Sequence, residues 1–182
     1  FDVTVNDDEL PVALCKTTTV ELDANGEGDV LVSAIDDGSS DNCGIQSITV
    51  APDMVTCADL AGTDVTLTVT DIHSNVNTCT VAITVVDLLP PEVLCPGDQV
   101  VCAQETTNDT YTASGGEFDY TSATDNCTIT DWDWELRGAT SLTGSGTLDG
   151  VVFNPGVTTV TWTVTDQSNN TDDCSFNVTV NA

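Results

Sequence analysis

Positive charge is almost missing from this sequence. One lysine, Lys16, and one arginine, Arg137, stand against thirty acidic residues, for a formal net charge of −28 over 182 residues. That sign excludes nucleic acid as a partner and disfavours an anionic membrane surface. Histidine occurs once, as His73, and no C-x-x-C pair is present, so the common zinc frameworks have nothing to build on. No run approaches the ~20 apolar residues of a membrane helix, no secretory leader is recognisable, and no stretch sustains a helical period. Membrane insertion by this segment is therefore not expected. Aromatic residues make up 5% of the chain, which leaves the core to β-branched side chains.

Threonine, aspartate and cysteine are abundant instead. Thr occurs 31 times, Asp accounts for 23 of the thirty acids, and there are eight Cys. The chain is also internally repeated. Thr70-Asp71-Ile72-His73-Ser74-Asn75-Val76-Asn77-Thr78-Cys79 returns as Thr165-Asp166-Gln167-Ser168-Asn169-Asn170-Thr171-Asp172-Asp173-Cys174, both reading T-D-x-x-x-N-x-x-x-C. Alternating segments flank each copy, with Val65, Leu67 and Val69 or Val160, Trp162 and Val164 on one face and threonines on the other. This pattern predicts a hairpin. Asp41-Asn42-Cys43 matches Asp125-Asn126-Cys127, and Pro11-Val12-Ala13-Leu14-Cys15 matches Pro91-Glu92-Val93-Leu94-Cys95. A period of about 85 residues argues for tandem domains over a thin solenoid.

The expected division is a last strand and linker of a preceding module over 1–10, module one over 11–87, and module two over 88–182. Phe1-Asp2-Val3-Thr4-Val5-Asn6 resembles Phe176-Asn177-Val178-Thr179-Val180-Asn181, which suggests a longer array. Asp87-Leu88-Leu89-Pro90-Pro91 is a stiff joint, since proline cannot continue a ladder. Short strands with turns between them, Thr and Val throughout and no helical period, predict an all-β fold of two immunoglobulin-like β-sandwiches in a rod. Asp23-Ala24-Asn25-Gly26-Glu27-Gly28 between alternating runs reads as a hairpin turn leading into a strand with Val30, Val32 and Ala34 on one face. It imitates an EF-hand opening, but Ala34 stands where a bidentate Glu is needed.

Four cysteines per small β module read as a disulfide framework formed in an oxidising compartment. Matching the repeats narrows the pairing without fixing it: Cys15 with Cys79 and Cys95 with Cys174 would tie first strand to last, leaving Cys43 with Cys57 and Cys102 with Cys127. Closing loops this long is worth up to ~4 kcal/mol each in the chain-entropy model.

The P-x-x-x-C opening, the D-N-C centre, Phe153-Asn154-Pro155-Gly156-Val157-Thr158-Thr159-Val160 and the T-D-x-x-x-N-x-x-x-C-x-F-x-V-x-V ending of module two resemble the hyalin repeat (HYR) domain, an immunoglobulin-like extracellular module associated with adhesion. Module one is similar to the SprB-like cysteine-containing repeats of very large gliding adhesins in Bacteroidetes. It departs from the pattern where Cys57-Ala58-Asp59-Leu60-Ala61-Gly62 replaces F-x-x-G-x-T-x-V. The resemblance implies a non-enzymatic stalk or adhesive segment of a filament at the cell surface, with export and outer-membrane attachment supplied by other parts of the parent chain.

In an immunoglobulin-like sandwich the hairpin tip and the Asp-Asn-Cys loop share the end where the chain enters. That predicts two oxygen-rich clusters, Asp7, Asp8, Asp41, Asn42, Asp71 and Asn75 before module one, and Asp87, Asp125, Asn126, Asp166 and Asn170 before module two. Carboxylates and amide carbonyls are hard ligands of the kind Ca²⁺ takes, while the same residues also cap turns without any ion. Ca²⁺ is the expected cofactor. His73 reads as an exposed turn residue and no catalytic residue is expected. Trp132 and Trp134 share a strand face, as core residues or as a platform for sugar rings. The second function weighed is therefore an accessory carbohydrate-binding module of a secreted enzyme. Expected partners are neighbouring repeats of the same chain and a polysaccharide or other surface.

Overall fold

The computed structural model describes Phe1, residues 6–104 and residues 109–181. The resemblance of the first six residues to a last strand falls mainly on 2–5, outside the described residues. The chain divides into two compact units, Phe1–Leu88 and Leu89–Ala182.

Unit one contains strands β1 (Thr19–Glu21) and β2 (Glu27–Asp29), a helical turn α1 (Val32–Ile35), β3 (Ile45–Ala51), β4 (Met54–Thr56), β5 (Thr63–Asp71) and β6 (Val76–Val86). The order β1-β6-β5-β3 makes one sheet and β2-β4 a second. The T-D-x-x-x-N stretch is the tip of the β5–β6 hairpin, whose ladder runs from Thr63↔Ile83 to Thr70↔Val76. Strict alternation turns Val65, Leu67 and Val69 inward, where all three are fully buried with Val55, Ile35 and Leu22, while the threonines between them face outward.

Unit two contains β7 (Glu92–Leu94), β8 (Gln99–Cys102), β9 (Tyr111–Thr112), β10 (Ser122–Thr124), β11 (Ile129–Gly138), β12 (Leu142–Ser145), β13 (Val152–Phe153), β14 (Gly156–Asp166) and β15 (Thr171–Asn181). Its main sheet has the order β12-β11-β14-β15-β8, with the pairs β10-β7 and β13-β9 beside it. Trp162, Phe118, Phe153, Leu136, Leu148 and Val160 fill the core. The indole N–H of Trp162 donates to the Phe118 carbonyl at 3.0 Å, so the largest buried ring carries no unpaired donor. Both units are all-β, immunoglobulin-like sandwiches, and no helix among the described residues is long and apolar enough to cross a membrane.

In each unit the chain enters beside the hairpin tip and leaves at the opposite, far end. Asn77 Nδ2 donates to the Pro11 carbonyl near the tip of unit one, and the first strand, β1, lies parallel to the last, β6, with Glu21 opposite Val86. The same plan places β8 parallel to β15, with Cys102 opposite Asn181.

Three expectations are corrected. Asn25-Gly26 does not join two strands of one hairpin, because β1 pairs with β6 and β2 with β4. The Asp23 carboxylate accepts the N–H groups of Asn25 (2.8 Å) and Glu27 (3.1 Å), and this turn carries the chain from one sheet to the other. The alternation over Val32 and Ala34 is a helical turn that drops Ile35 into the core, fully buried. Finally, the disulfides are Cys15–Cys79 and Cys95–Cys174, with Cα separations of 6.1 and 5.6 Å, while Cys43 and Cys102 are free, exposed thiols. Neither Cys43–Cys57 nor Cys102–Cys127 forms, since in each pair one cysteine sits at the tip end and the other at the far end. Cys57 and Cys127 are disulfide-bonded.

Candidate metal centre

Three chain segments meet at the tip of unit one. The hairpin contributes Asp71, which is fully buried. Its Oδ1 accepts the backbone N–H groups of His73 and Asn75, both at 2.8 Å, and its Oδ2 accepts the Asn75 side-chain amide at 2.7 Å. This local network fixes the turn and leaves Ser74 at φ 72°. Burial by itself pushes the Asp71 carboxyl up. The hydrogen bonds from Asn75 and His73 and the nearby imidazole more than offset that, and hold it below the usual carboxylate value.

The Asp-Asn-Cys bend contributes Asp41, whose Oδ2 accepts the N–H groups of Cys43 and Gly44 at 2.8 and 2.9 Å. The entering segment contributes Asp7, with a side chain 6% exposed and its Oδ2 3.3 Å from His73 Nδ1. Asn75 ties this segment down as well, because its amide also donates to the Asp7 carbonyl at 3.1 Å. Carboxylate oxygens of Asp7, Asp41 and Asp71 lie within 4.8 Å of one another. Asp41 Oδ1 is buried without a hydrogen-bond partner, and Asp7 Oδ2, also buried, faces the His73 imidazole.

Two of the expected residues stay outside this group. Asp8 is exposed and accepts from the Asn6 amide, and Asn42 is exposed and donates to Glu9 at 2.7 Å. Two that sequence reasoning passed over lie inside it, since Cys43 Sγ and a His73 ring nitrogen come within 4.8 Å of an Asp7 oxygen and of each other. No local signal predicts this, because Asp7 is remote from both in sequence. The Cys43 thiol is pushed up from its ordinary value, first by its hydrogen bond to Asp7, then by desolvation and the charges of Asp7, Asp41 and Asp71.

Unit two repeats the wiring. Asp166 is 1% exposed; its Oδ1 accepts the N–H groups of Ser168 and Asn170 at 2.8 Å and its Oδ2 the Asn170 amide at 2.8 Å. That amide also donates to the Leu89 carbonyl at 3.1 Å. Asp125 Oδ2 accepts the Cys127 N–H at 2.9 Å, and carboxylate oxygens of Asp125 and Asp166 are within 4.8 Å. Asn126 is half-buried in the same bend, and Asp87, at the end of unit one, is 3% exposed.

The two tryptophans of β11 part company. Trp134 is buried, with Gly144 of β12 lying against its ring. Trp132 is half-buried and lines a groove with Asp119, Tyr120, Gly146 and Thr147. A paired sugar platform is therefore not present on this strand.

Comparison with known proteins gives a family and several distant structural likenesses. Human mucin-like protocadherin EC1-2 is 13% identical, with 94% of this chain and 98% of that one covered at a TM-score of 0.43. Protocadherin gamma B7 extracellular cadherin domains 1–4 are 12% identical over 96% of this chain at 0.41, and this chain spans about half (51%) of that one. The Dpr2 Ig1-Ig2 structure in complex with DIP-Theta Ig1-Ig3 is 13% identical, with 96% and 68% covered and a TM-score of 0.37. No curated protein matches. The HYR domain, an extracellular adhesion-type module, matches residues 86–180, more than half of the sequence. The chain belongs to the HYR domain family.

Proposed function

We propose that the chain is a non-enzymatic repeat segment of a long, filamentous cell-surface adhesin and that Ca²⁺ stiffens it at the tip end of each module. The observation that carries this reading is the Asp7, Asp41 and Asp71 oxygen set, in which Asp41 Oδ1 is buried without a hydrogen-bond partner. Ca²⁺ binds six to eight oxygens at 2.3–2.6 Å, so oxygens on one ion stand no more than about 5 Å apart. The set fits that limit, and Asp71 is pre-oriented by three hydrogen bonds. Asp7, Asp41 and Asp71 would hold the ion, and the cation would supply the positive charge that three crowded carboxylates lack. Since each comes from a different chain segment, binding ties the entry strand, the Asp-Asn-Cys bend and the hairpin together.

A softer ion on Asp7, Cys43 and His73 is the competing chemistry. The repeat speaks for oxygen ligation. Asp87, Asp125 and Asp166 occupy the motif positions of Asp7, Asp41 and Asp71, whereas Ser168 stands where His73 does. The same module plan would then serve reach and adhesion in surface attachment or gliding motility, with outer-membrane attachment handled elsewhere in the parent chain.

Thermal unfolding in EDTA, then in CaCl₂ with MgCl₂ as the screening control, tests this. A ligand bound only to the folded state stabilises it by RT ln(1 + [L]/Kd). The expected result is a rise in Tm with Ca²⁺ well beyond that with Mg²⁺, reduced in Asp41→Asn. Equal rises with both ions would overturn the proposal.

A carbohydrate-binding role keeps one supporting observation, the Trp132 groove, where the indole N–H is buried without a hydrogen-bond partner. Retardation on polysaccharide gels that is lost in Trp132→Ala would favour it.

A further inference from the structure

The four cysteines outside Cys15–Cys79 and Cys95–Cys174 fall into two classes by position. Cys43 and Cys127 stand in the Asp-Asn-Cys bends at the tip ends. The carbonyl of Gly44 accepts the Ile72 N–H at 3.1 Å, and the carbonyl of Thr128 accepts the Gln167 N–H at 2.9 Å. Cys57 and Cys102 stand at the far ends. Cys57 Sγ is 3.7 Å from the Gly26 carbonyl, just past the strand whose Glu21 faces Val86, and Cys102 faces Asn181.

Within a unit these classes cannot meet. β5 is nine residues long and β15 eleven. At about 3.3 Å per residue they hold tip and far ends roughly 25–35 Å apart, several times the ~7 Å limit between Cα atoms of a disulfide. Cys57, at a far end, and Cys127, at a tip end, are oxidised. The two left as exposed thiols are again one of each class, Cys43 at a tip and Cys102 at a far end.

We propose that Cys102 and Cys43 are the two halves of one covalent joint, in which Cys102 of one chain forms a disulfide with Cys43 of a second copy, far end to tip end. The partner surface is thus another module of the same kind, and the joint follows the direction in which the chain itself enters and leaves each unit. Both thiols are exposed, so the bond needs no rearrangement of either core. With glutathione disulfide as oxidant, one protein thiolate displaces a glutathione thiolate to give a mixed disulfide. The second protein thiolate then displaces the other glutathione. Two protein thiols lose two electrons and two protons, and one small-molecule disulfide becomes two thiols.

The test is oxidation of the intact chain with glutathione disulfide, read by non-reducing electrophoresis and peptide mapping. The wild type should give a ladder in steps of its 19.0 kDa mass that collapses on reduction. Cys43→Ser alone and Cys102→Ser alone should each stay monomeric, and a mixture of the two variants should give one dimer carrying the Cys102–Cys43 peptide. Dimers in either variant alone, which report like-with-like pairing, would overturn the proposal. So would a mixture that yields only glutathionylated monomers. Both cysteines are exposed, and a cooperative thermal unfolding transition in each variant shows that a missing bond is not a folding failure.

Discussion

Asp71 shows how much one side chain organises. Both of its oxygens are committed to the turn, so Asp71→Ala strands three donors, the N–H groups of His73 and Asn75 and the Asn75 amide. We expect a loss of about 2–3 kcal/mol in urea unfolding, with Asp71→Asn less severe because the side-chain oxygen that accepts the two backbone N–H groups is kept. The carboxyl is held below its ordinary value in the folded protein. It therefore contributes stability above the unfolded value near 3.8, and that contribution disappears as pH falls through the lower folded value. In EDTA, the wild type should lose more stability than Asp71→Asn on acidification from pH 5 to below pH 3. The T-D-x-x-x-N spacing made Asp71 and Asn75 legible in the sequence, since a turn needs an acceptor and a donor at that separation. Asn42 was not separable from Asp41 in the same way. Asp41 turns inward to cap the Cys43 and Gly44 N–H groups, which sends its neighbour out to Glu9.

Among the elements, the β5–β6 and β14–β15 hairpins were legible because their alternation is strict and each T-D-x-x-x-N turn lies between two long strands. The turn at Asn25-Gly26 misleads because local turn chemistry says that the chain reverses, not which sheet receives it. Gly28 records the actual path: a Cβ there would come within 2.6 Å of Val20 Cγ1, so β2 passes against β1 without pairing to it. Gly144 does the same service for Trp134, since a Cβ at that position would meet the indole at 2.3 Å. Gly144→Val should displace the ring and cost about 2–3 kcal/mol, with tryptophan emission shifted to the red. The β11 tryptophans also show the limit of alternation. It places Trp132 and Trp134 on one face, but only the approach of β12 decides that one ring is covered and the other half open.

For the molecule as a whole, charge and covalent linkage dominate. A net charge of −28 with two basic side chains makes self-repulsion a standing cost. In EDTA, raising NaCl from 10 to 500 mM should increase Tm as the Debye length shrinks from about 30 Å to a few Å. The cysteine pairing was only half legible, because matching the repeats singles out Cys15–Cys79 and Cys95–Cys174 but does not say which end of its unit each of Cys43, Cys57, Cys102 and Cys127 occupies. The parallel placement of β1 on β6 has a mechanical consequence. With the Cys15–Cys79 bond intact, tension applied at the two ends of unit one passes straight from the entering segment to the last strand; with it reduced, the same tension loads the β1–β6 hydrogen bonds together in shear. The residues the disulfide bridges, a sequence separation of 64, cannot be drawn out while that bond is intact. In a pulling experiment, reduction should release an extra length of roughly 220 Å for this unit, at ~3.5 Å per residue. Oxidised, the module behaves as a short tether of nearly fixed length, and reduced, as a spring with slack.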